Sequence, residues 1–371
     1  MAAHTHERLA FFLPSLEGGG AQRVLLNLAA GFCDRGFRAD LVLASAEGDY
    51  MPSVPSAVRV IDLGAQRVLR SLIPLVRYLR RERPRVLIAG LDHANVVAMA
   101  ASRIARARNR TVISVHCVFG GTDAWNGRDF RFRTLPWLLG RLHRWADAVV
   151  AVSDGVADDL TRTAGVPARR IRVILNPVIT PALIAAAGDR PAHPWFEDTT
   201  RPIIISAGRL APQKNFSLLI ESFALVRRRF DVRLVILGEG PDRAGLEALI
   251  RRHGVEHCVA LPGFVPNPYA CMARASVFVL SSDYEGLPTV LVESLALGTP
   301  VIATDCESGP REILRGGALG DLVPVRDVEA MSQAIVRALT RPRGAPQIEA
   351  LKQFTVQAAL DEYERVFDLD A

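Results

Sequence analysis

The sequence predicts an α/β protein built from two Rossmann-like domains, each a doubly wound parallel sheet. Three observations predict it. Short apolar runs alternate with helical patterns along all 371 residues, the rhythm of parallel strands joined by crossover helices. The alternation occurs twice, with Pro177, Pro181, Pro191 and Pro194 clustered between the two series. The length suits two domains at roughly 100–200 residues each, and an apolar content of 49% supplies a core for both.

The strand-like runs of the first series are 9–13, 41–44, 58–63, 86–89, 111–115, 149–152 and 171–174. Those of the second are 203–207, 232–237, 277–280, 301–304 and a weaker 321–323. Helical patterns fill most intervals, for example 21–35, 74–83 and 216–229. The expected division is a first domain over 1–178, a linker over 179–201 with a short helix in its Ala-rich middle, and a second domain over 202–345. The tail 346–371 is helical in pattern with no strand to follow, and is expected to fold back on the first domain.

Composition narrows the class. No apolar run approaches the ~20 residues needed to span a bilayer, and the start does not read as a signal peptide. Cys33, Cys117, Cys258, Cys271 and Cys306 are odd in number, scattered, and contain no Cys-x-x-Cys pair. That argues against a disulfide framework and a zinc site, and for a reducing cytoplasm. Residues 1–178 hold 25 arginines, no lysine and 15 acids, a net +10, whereas the remainder nets −4. An anionic partner for the first half follows: nucleic acid, a membrane surface or a phosphorylated acceptor.

Residues 285–293 read Glu-Gly-Leu-Pro-Thr-Val-Leu-Val-Glu. Pro288 suits the first turn of a helix, and 289–297 fits a buried helix. Glu285 then lies in the preceding loop and Glu293 about a turn inside. The helix start between them offers free amides to a phosphate, and the carboxylates suit sugar hydroxyls. An ordinary loop–helix junction with two solvated acids fits the spacing equally.

Other segments follow strand ends. Gly18, Gly19 and Gly20 lie between the first strand and its helix, where a backbone can approach a phosphate closely; a tight turn is the alternative. This is not the Gly-x-Gly-x-x-Gly of dinucleotide sites. Arg209 and Lys214 follow the strand 203–207, and ligands in open α/β sheets bind beyond strand carboxyl ends. Two cations five apart suit a diphosphate, although a solvated basic loop has the same spacing. Lys214 is one of two lysines against 43 arginines. His116 ends the strand 111–115 ahead of Gly120 and Gly121, placed for a ligand or for a structural bond; His93 is a lesser candidate. Ser308-Gly309-Pro310-Arg311-Glu312 joins another strand end to a helix start, either as a cap or as a ligand contact.

Together these residues resemble a retaining glycosyltransferase of the GT4 type, with the GT-B fold of two domains facing a cleft. The resemblance runs over nearly the whole chain. It rests on Gly-Gly-Ala-Gln-Arg at 19–23, His116, Ser153, Asn176-Pro177, Gly208-Arg209…Lys214-Asn215, Gly263-Phe264-Val265 and Glu285-x7-Glu293. Segment 304–313 is similar to the branch that adds hexoses or N-acetylhexosamines to surface glycans and lipid-linked sugars. Glu307 departs from that branch, where a small residue or proline is expected.

The resemblance implies transfer from a nucleotide-sugar, with UDP as the expected nucleotide, and neither a metal nor a further cofactor. Arg209 and Lys214 would neutralise the diphosphate, helped by the Gly286-Leu287 turn and the amides of Thr289 and Val290. Glu293 would take the ribose and Glu285 the hydroxyls of the transferred sugar. The backbone at Phe264 and Val265 would read the base. His116 would contact the sugar, and Gly18, Gly19 and Gly20 would close on phosphate and acceptor. The acceptor would be a glycan or a polyprenyl-linked sugar. The Arg- and apolar-rich segments 67–85 and 130–145 could lie on an anionic bilayer, placing the enzyme in the cytoplasm or peripherally on the inner membrane; a core-packed helix with a solvated Arg face is the alternative for each. The rival functions are a nucleotide-sugar epimerase or phosphorylase of the same fold, a nucleic-acid- or anion-binding non-enzyme, and an inactive sugar-binding scaffold. No nucleic-acid motif is present.

Overall fold

The computed structural model describes residues 7–119, 130–198, 200–341 and 345–368, with the backbone alone for 130–133. The chain forms two compact units, residues 1–178 with 353–371, and residues 179–352.

The first unit contains β1 (Arg8–Leu13), β2 (Arg38–Leu43), β3 (Arg59–Asp62), β4 (Val86–Gly90), β5 (Arg110–Val115), β6 (Ala148–Ala151) and β7 (Ile171–Val173). They form one sheet in the order β3-β2-β1-β4-β5-β6-β7, and every pairing in it is parallel. The central strands read as unbroken Val, Leu, Ile, Ala and Phe because helices cover both sheet faces. Leu9, Phe11, Phe12, Leu87 and Ile88 are fully buried.

The second unit repeats the plan with β8 (Ile203–Ala207), β9 (Arg233–Leu237), β10 (Val259–Gly263), β11 (Val277–Leu280), β12 (Val301–Thr304) and β13 (Asp321–Val323). Their order is β10-β9-β8-β11-β12-β13, again with parallel pairing throughout. Its core joins the strands to the helices Phe216–Arg227 and Val328–Thr340 through Leu219, Phe223, Met331 and Ile335. The sequence reading has no strand at β10, which contains Pro262. Proline is tolerated there because β10 is an edge strand with one unpaired side.

Residues 179–201 group with the second unit and hold the helix Pro181–Ala186, which Thr180 caps by accepting from the Leu183 amide at 3.0 Å. The helix Val356–Phe367 groups with the first unit. Phe367 packs on Phe32 with ring centroids 5.5 Å apart. Gly31 permits the approach: a Cβ there would lie 2.7 Å from Val356 Cγ1. Among the described residues no helix is long and apolar enough to cross a membrane.

Candidate functional site

In the second sheet the strand order reverses between β8 and β11. The crevice beyond the carboxyl ends at such a switch point is where open α/β sheets bind ligands. The loops leaving those two strands, 208–215 and 281–288, carry the cationic motif and the first carboxylate of the paired motif.

Several bonds lock the two loops together. Lys214 Nζ meets Glu285 Oε1 at 2.5 Å, and Ser282 Oγ donates to the same oxygen at 2.6 Å. The Gln213 side chain donates to Tyr284 O at 3.0 Å, and the Asp283 amide to Gln213 O at 2.9 Å. Ser281 Oγ donates to Lys214 O at 2.8 Å. Asn215, with φ 42, caps the helix Phe216–Arg227 through Oδ1 and donates Nδ2 to Asp283 Oδ1 at 2.8 Å. Arg326 Nη2 holds Asp283 from a third loop at 2.8 Å. Glu285 is only 5% exposed. Among the described residues both of its side-chain bonds use Oε1, which leaves Oε2 for a further donor.

The motif continues as the sequence predicts. The helix Thr289–Ala296 begins directly after Pro288, and Glu293 is buried within it. The proline stands at the N-cap, one place before the expected first turn. Among the described residues the amides of Thr289 and Val290 carry no hydrogen bond, as expected of opening helix amides. Gly286 and Leu287 are buried in the turn between.

Segment 308–312 packs against this turn. Ser308 Oγ donates to Gly286 O at 2.9 Å. Gly309 has φ 87 and lies so close that an added Cβ would sit 2.6 Å from Pro288 Cδ and 2.8 Å from Gly286 O. Sequence reasoning did not find Ser282 or the bracing role of Ser308 and Gly309, because their partners are distant in the chain. Replacing Ser308 with alanine removes this bond from a buried turn. That should cost about 1–3 kcal/mol, read as a lower urea midpoint.

Arg209 is exposed, and no ion pair or hydrogen bond engages it among the described residues. Phe264 and Val265 follow β10 at the same edge of the sheet and are half-buried. Cys306 lies near Glu285; burial, and then that carboxylate, push its thiol up to about 12, so it remains an unreactive thiol.

The first unit carries the remaining predicted residues. Gly18 is exposed, and its amide donates to Asp49 Oδ2 at 3.3 Å. Gly19 is the extended N-cap of the helix Gly20–Asp34, with no side chain capping it. His116 directly follows β5, and its Nε2 lies 3.0 Å from Ser114 Oγ. Gly120 and Gly121 lie outside the described residues. Burial lowers the His116 imidazole to about 4, so the ring is neutral near pH 7. The unfolded chain then binds the extra proton between pH 6.5 and about 4. The neutral ring's contribution to stability is therefore full above pH 6.5 and is lost as pH falls towards 4. His116→Asn should flatten that part of the stability–pH curve, measured by urea unfolding from pH 4 to 7.

The basic apolar segments divide between core and surface. In 67–85, Leu75, Val76 and Leu79 are buried in the core, so the helix Leu72–Glu82 cannot present all its apolar residues to a bilayer. Leu69, at 72% exposed, and Ile73 do face solvent. In 130–145, Leu135 and Leu139 are buried, while Trp137 and Trp145 are exposed; the side chains of Phe130, Arg131, Phe132 and Arg133 lie outside the described residues. Arg141 stacks over Trp137 at 5.0 Å. The elements bearing Leu69, Ile73, Trp137 and Trp145 all pack against the helix Asp92–Ala105, which adds exposed Ile104.

Comparison with known proteins agrees with this geometry. Residues 191–358 match the family described as Glycosyl transferases group 1, and residues 18–180 match Glycosyltransferase Family 4. The N-acetylgalactosamine-N,N'-diacetylbacillosaminyl-diphospho-undecaprenol 4-alpha-N-acetylgalactosaminyltransferase of Campylobacter jejuni is 28% identical, over 89% of this chain and 89% of that protein. The lipopolysaccharide core biosynthesis glycosyltransferase LpsE of Rhizobium meliloti is 29% identical, over 93% of this chain and 94% of that protein. Among solved structures, the sucrose-phosphate synthase of Thermosynechococcus elongatus superposes with a TM-score of 0.80 at 18% identity, covering 98% of each chain. HepE of Anabaena, solved with UDP and glucose, gives 0.75 at 21% identity, covering 98% of this chain and 100% of that one. The paired parallel sheets, the two family matches and these full-length relatives show that the chain belongs to the group 1 glycosyltransferases of the GT4 type, with the GT-B fold.

Proposed function

We propose that this chain is a retaining, metal-independent glycosyltransferase that moves a hexose or N-acetylhexosamine from a UDP-sugar. Its acceptor is a glycan or a polyprenyl-linked sugar in surface polysaccharide or glycoconjugate synthesis. The observation that carries the reading is the Lys214–Glu285 pair at the switch point of the second sheet, beside exposed Arg209 and an uncapped helix start. The ammonium has three donors, so it can hold Glu285 and still meet a diphosphate oxygen. Glu285 Oε2 is the acceptor for a hydroxyl of the transferred sugar. Arg209 and Lys214, with the amides of Thr289 and Val290, offset the charge that grows as the nucleoside diphosphate departs, an effect often dominant in catalysis. Glu293 takes the ribose, and the backbone at Phe264 and Val265 the base. His116, as a neutral ring, contacts the sugar, and Gly18, Gly19 and Gly20 approach phosphate and acceptor. The names of the relatives support the substrate classes: one acts on a diphospho-undecaprenol-linked sugar, and another was solved with UDP and glucose.

A screen of UDP-, GDP- and ADP-sugars tests the reading, with polyprenyl-diphosphate-linked N-acetylglucosamine and glycerol as acceptors and the anomeric configuration read by NMR. A retained product from a UDP-sugar, unaffected by a chelator, is expected. Turnover of no nucleotide-sugar would sink the reading, and an inverted product would remove its retaining part. Arg209→Ala should lower kcat about 10²–10³-fold while leaving the urea midpoint unchanged, since Arg209 is exposed and, among the described residues, unpaired.

The exposed apolar residues around the helix Asp92–Ala105, set in the arginine-rich first unit, support peripheral binding to an anionic membrane. Co-sedimentation with vesicles containing phosphatidylglycerol should be strong at low salt and weaken as salt rises. Absence of low-salt binding would remove this part.

A further inference from the structure

In the first sheet the strand order reverses between β1 and β4, and the chain leaving β4 there is unusual. Leu91 has φ 74 and ψ 135, a backbone that leucine rarely adopts and that tends to persist where function requires it. It delivers Asp92 as the first residue of the helix Asp92–Ala105. An aspartate at a helix start ordinarily turns onto the free amides of the first turn. Asp92 Oδ1 does not: it is covered from solvent, and among the described residues it has no hydrogen-bond partner. The residue as a whole keeps some exposed surface.

The neighbours extend the pattern. Asn95 lies one helical turn on, a spacing that places it on the same face. It is fully buried and donates Nδ2 to Ser114 O at 2.8 Å, while its Oδ1 also lacks a donor among the described residues. Ser114 Oγ in turn lies 3.0 Å from His116 Nε2. Among the described residues two unmet acceptors thus share one helix face, and the Asn95 amide is linked through Ser114 to the ring of His116. Leaving buried acceptors without donors is costly, and such groups mark places where a ligand supplies the missing bond. Burial also raises the Asp92 carboxyl to about 7, as befits a group awaiting a partner.

We propose that Asp92 binds and orients the attacking hydroxyl of the acceptor, with its carboxylate accepting the hydroxyl's hydrogen bond. This rests on the transferase reading above and adds to it the residue that selects the nucleophile. In the transfer, the acceptor oxygen bonds to the anomeric carbon and the bond from that carbon to the phosphate oxygen breaks. The nucleoside diphosphate leaves with the electron pair, and the hydroxyl proton ends on a diphosphate oxygen. Asp92 is unchanged at the end and acts by holding the hydroxyl in an attacking orientation.

The test uses the full chain with Asp92→Asn, which keeps the shape, and Asp92→Ala. Transfer from the UDP-sugar to polyprenyl-diphosphate-linked N-acetylglucosamine and to glycerol is measured beside hydrolysis of the same donor by water. Asp92→Asn should lower transfer about 10²-fold, raise the acceptor KM, and leave donor KM and donor hydrolysis within about threefold of wild type. Its melting temperature should match or exceed that of wild type, because an unpartnered buried carboxylate is gone. Wild-type transfer by both variants overturns the proposal. A parallel loss of donor hydrolysis and donor affinity also overturns it, by placing Asp92 on the donor. Failure of wild type to turn over any nucleotide-sugar is a separate result and defeats the transferase reading itself.

Discussion

Replacing Lys214 with alanine should lower kcat about 10²–10³-fold and also destabilise the second unit by about 3–5 kcal/mol. The two losses have different causes. On the proposed function, the catalytic loss follows from removing a fixed cation from the crevice where leaving-group charge would develop. The stability loss follows from the contact with Glu285, which is nearly sealed from solvent. Without the ammonium, that carboxylate keeps Ser282 Oγ as its remaining side-chain donor. Adding Glu285→Gln to Lys214→Ala should therefore restore much of the urea midpoint while leaving turnover low. A double-mutant cycle on both readouts separates the two contributions. Equal, additive stability losses would show that the pair is not coupled in the fold.

Gly309→Ala should produce the next largest effect. At φ 87 a side chain costs about 1–3 kcal/mol in backbone strain. The new Cβ would also lie 2.6 Å from Pro288 Cδ and 2.8 Å from Gly286 O, and crowding of this kind costs about 1–3 kcal/mol more. Relief requires the 286–288 turn to move, and with it the start of the helix Thr289–Ala296. Displacing a positioned group by about 1 Å can cost on the order of 10² in rate. The variant should show a lower melting temperature, a raised donor KM and reduced kcat together. Gly316→Ala is the control: Gly316 also has positive φ, at 68, but a Cβ there meets nothing within 4 Å. It should lose stability through strain and keep its kinetics.

Much of this was legible in the residues themselves. Continuous Val, Ile and Leu runs marked the buried parallel strands, since a strand covered on both faces needs no polar alternation. Pro288 before an apolar run marked the helix start between Glu285 and Glu293. What stayed hidden was set by contacts between distant segments. Lys214 and Glu285 are 71 positions apart and meet because β8 and β11 are neighbours, an adjacency that periodicity does not encode. Ser308 and Gly309 act on a turn 22 positions earlier. Asp92 was passed over for His93 because sequence cannot report that a carboxylate oxygen is covered and unmet; the structure leaves His93 exposed. The strand β10 was hidden because a proline is acceptable only once the strand is known to be at an edge.

The helix Val356–Phe367 has a consequence for how the chain reaches its native state. The first unit is finished by residues synthesised after the whole second unit: Tyr363 and Phe367 are buried, and Phe367 packs on Phe32. Closure of that core spans more than 330 positions of sequence, a non-local contact that slows folding. During synthesis the second unit, continuous over 179–352, has its whole sequence available before the first does. The order of folding should therefore run against the order of translation. A chain ending before Gln353 should keep a folded second unit while leaving Phe32 uncovered, an apolar site for a chaperone to hold until release.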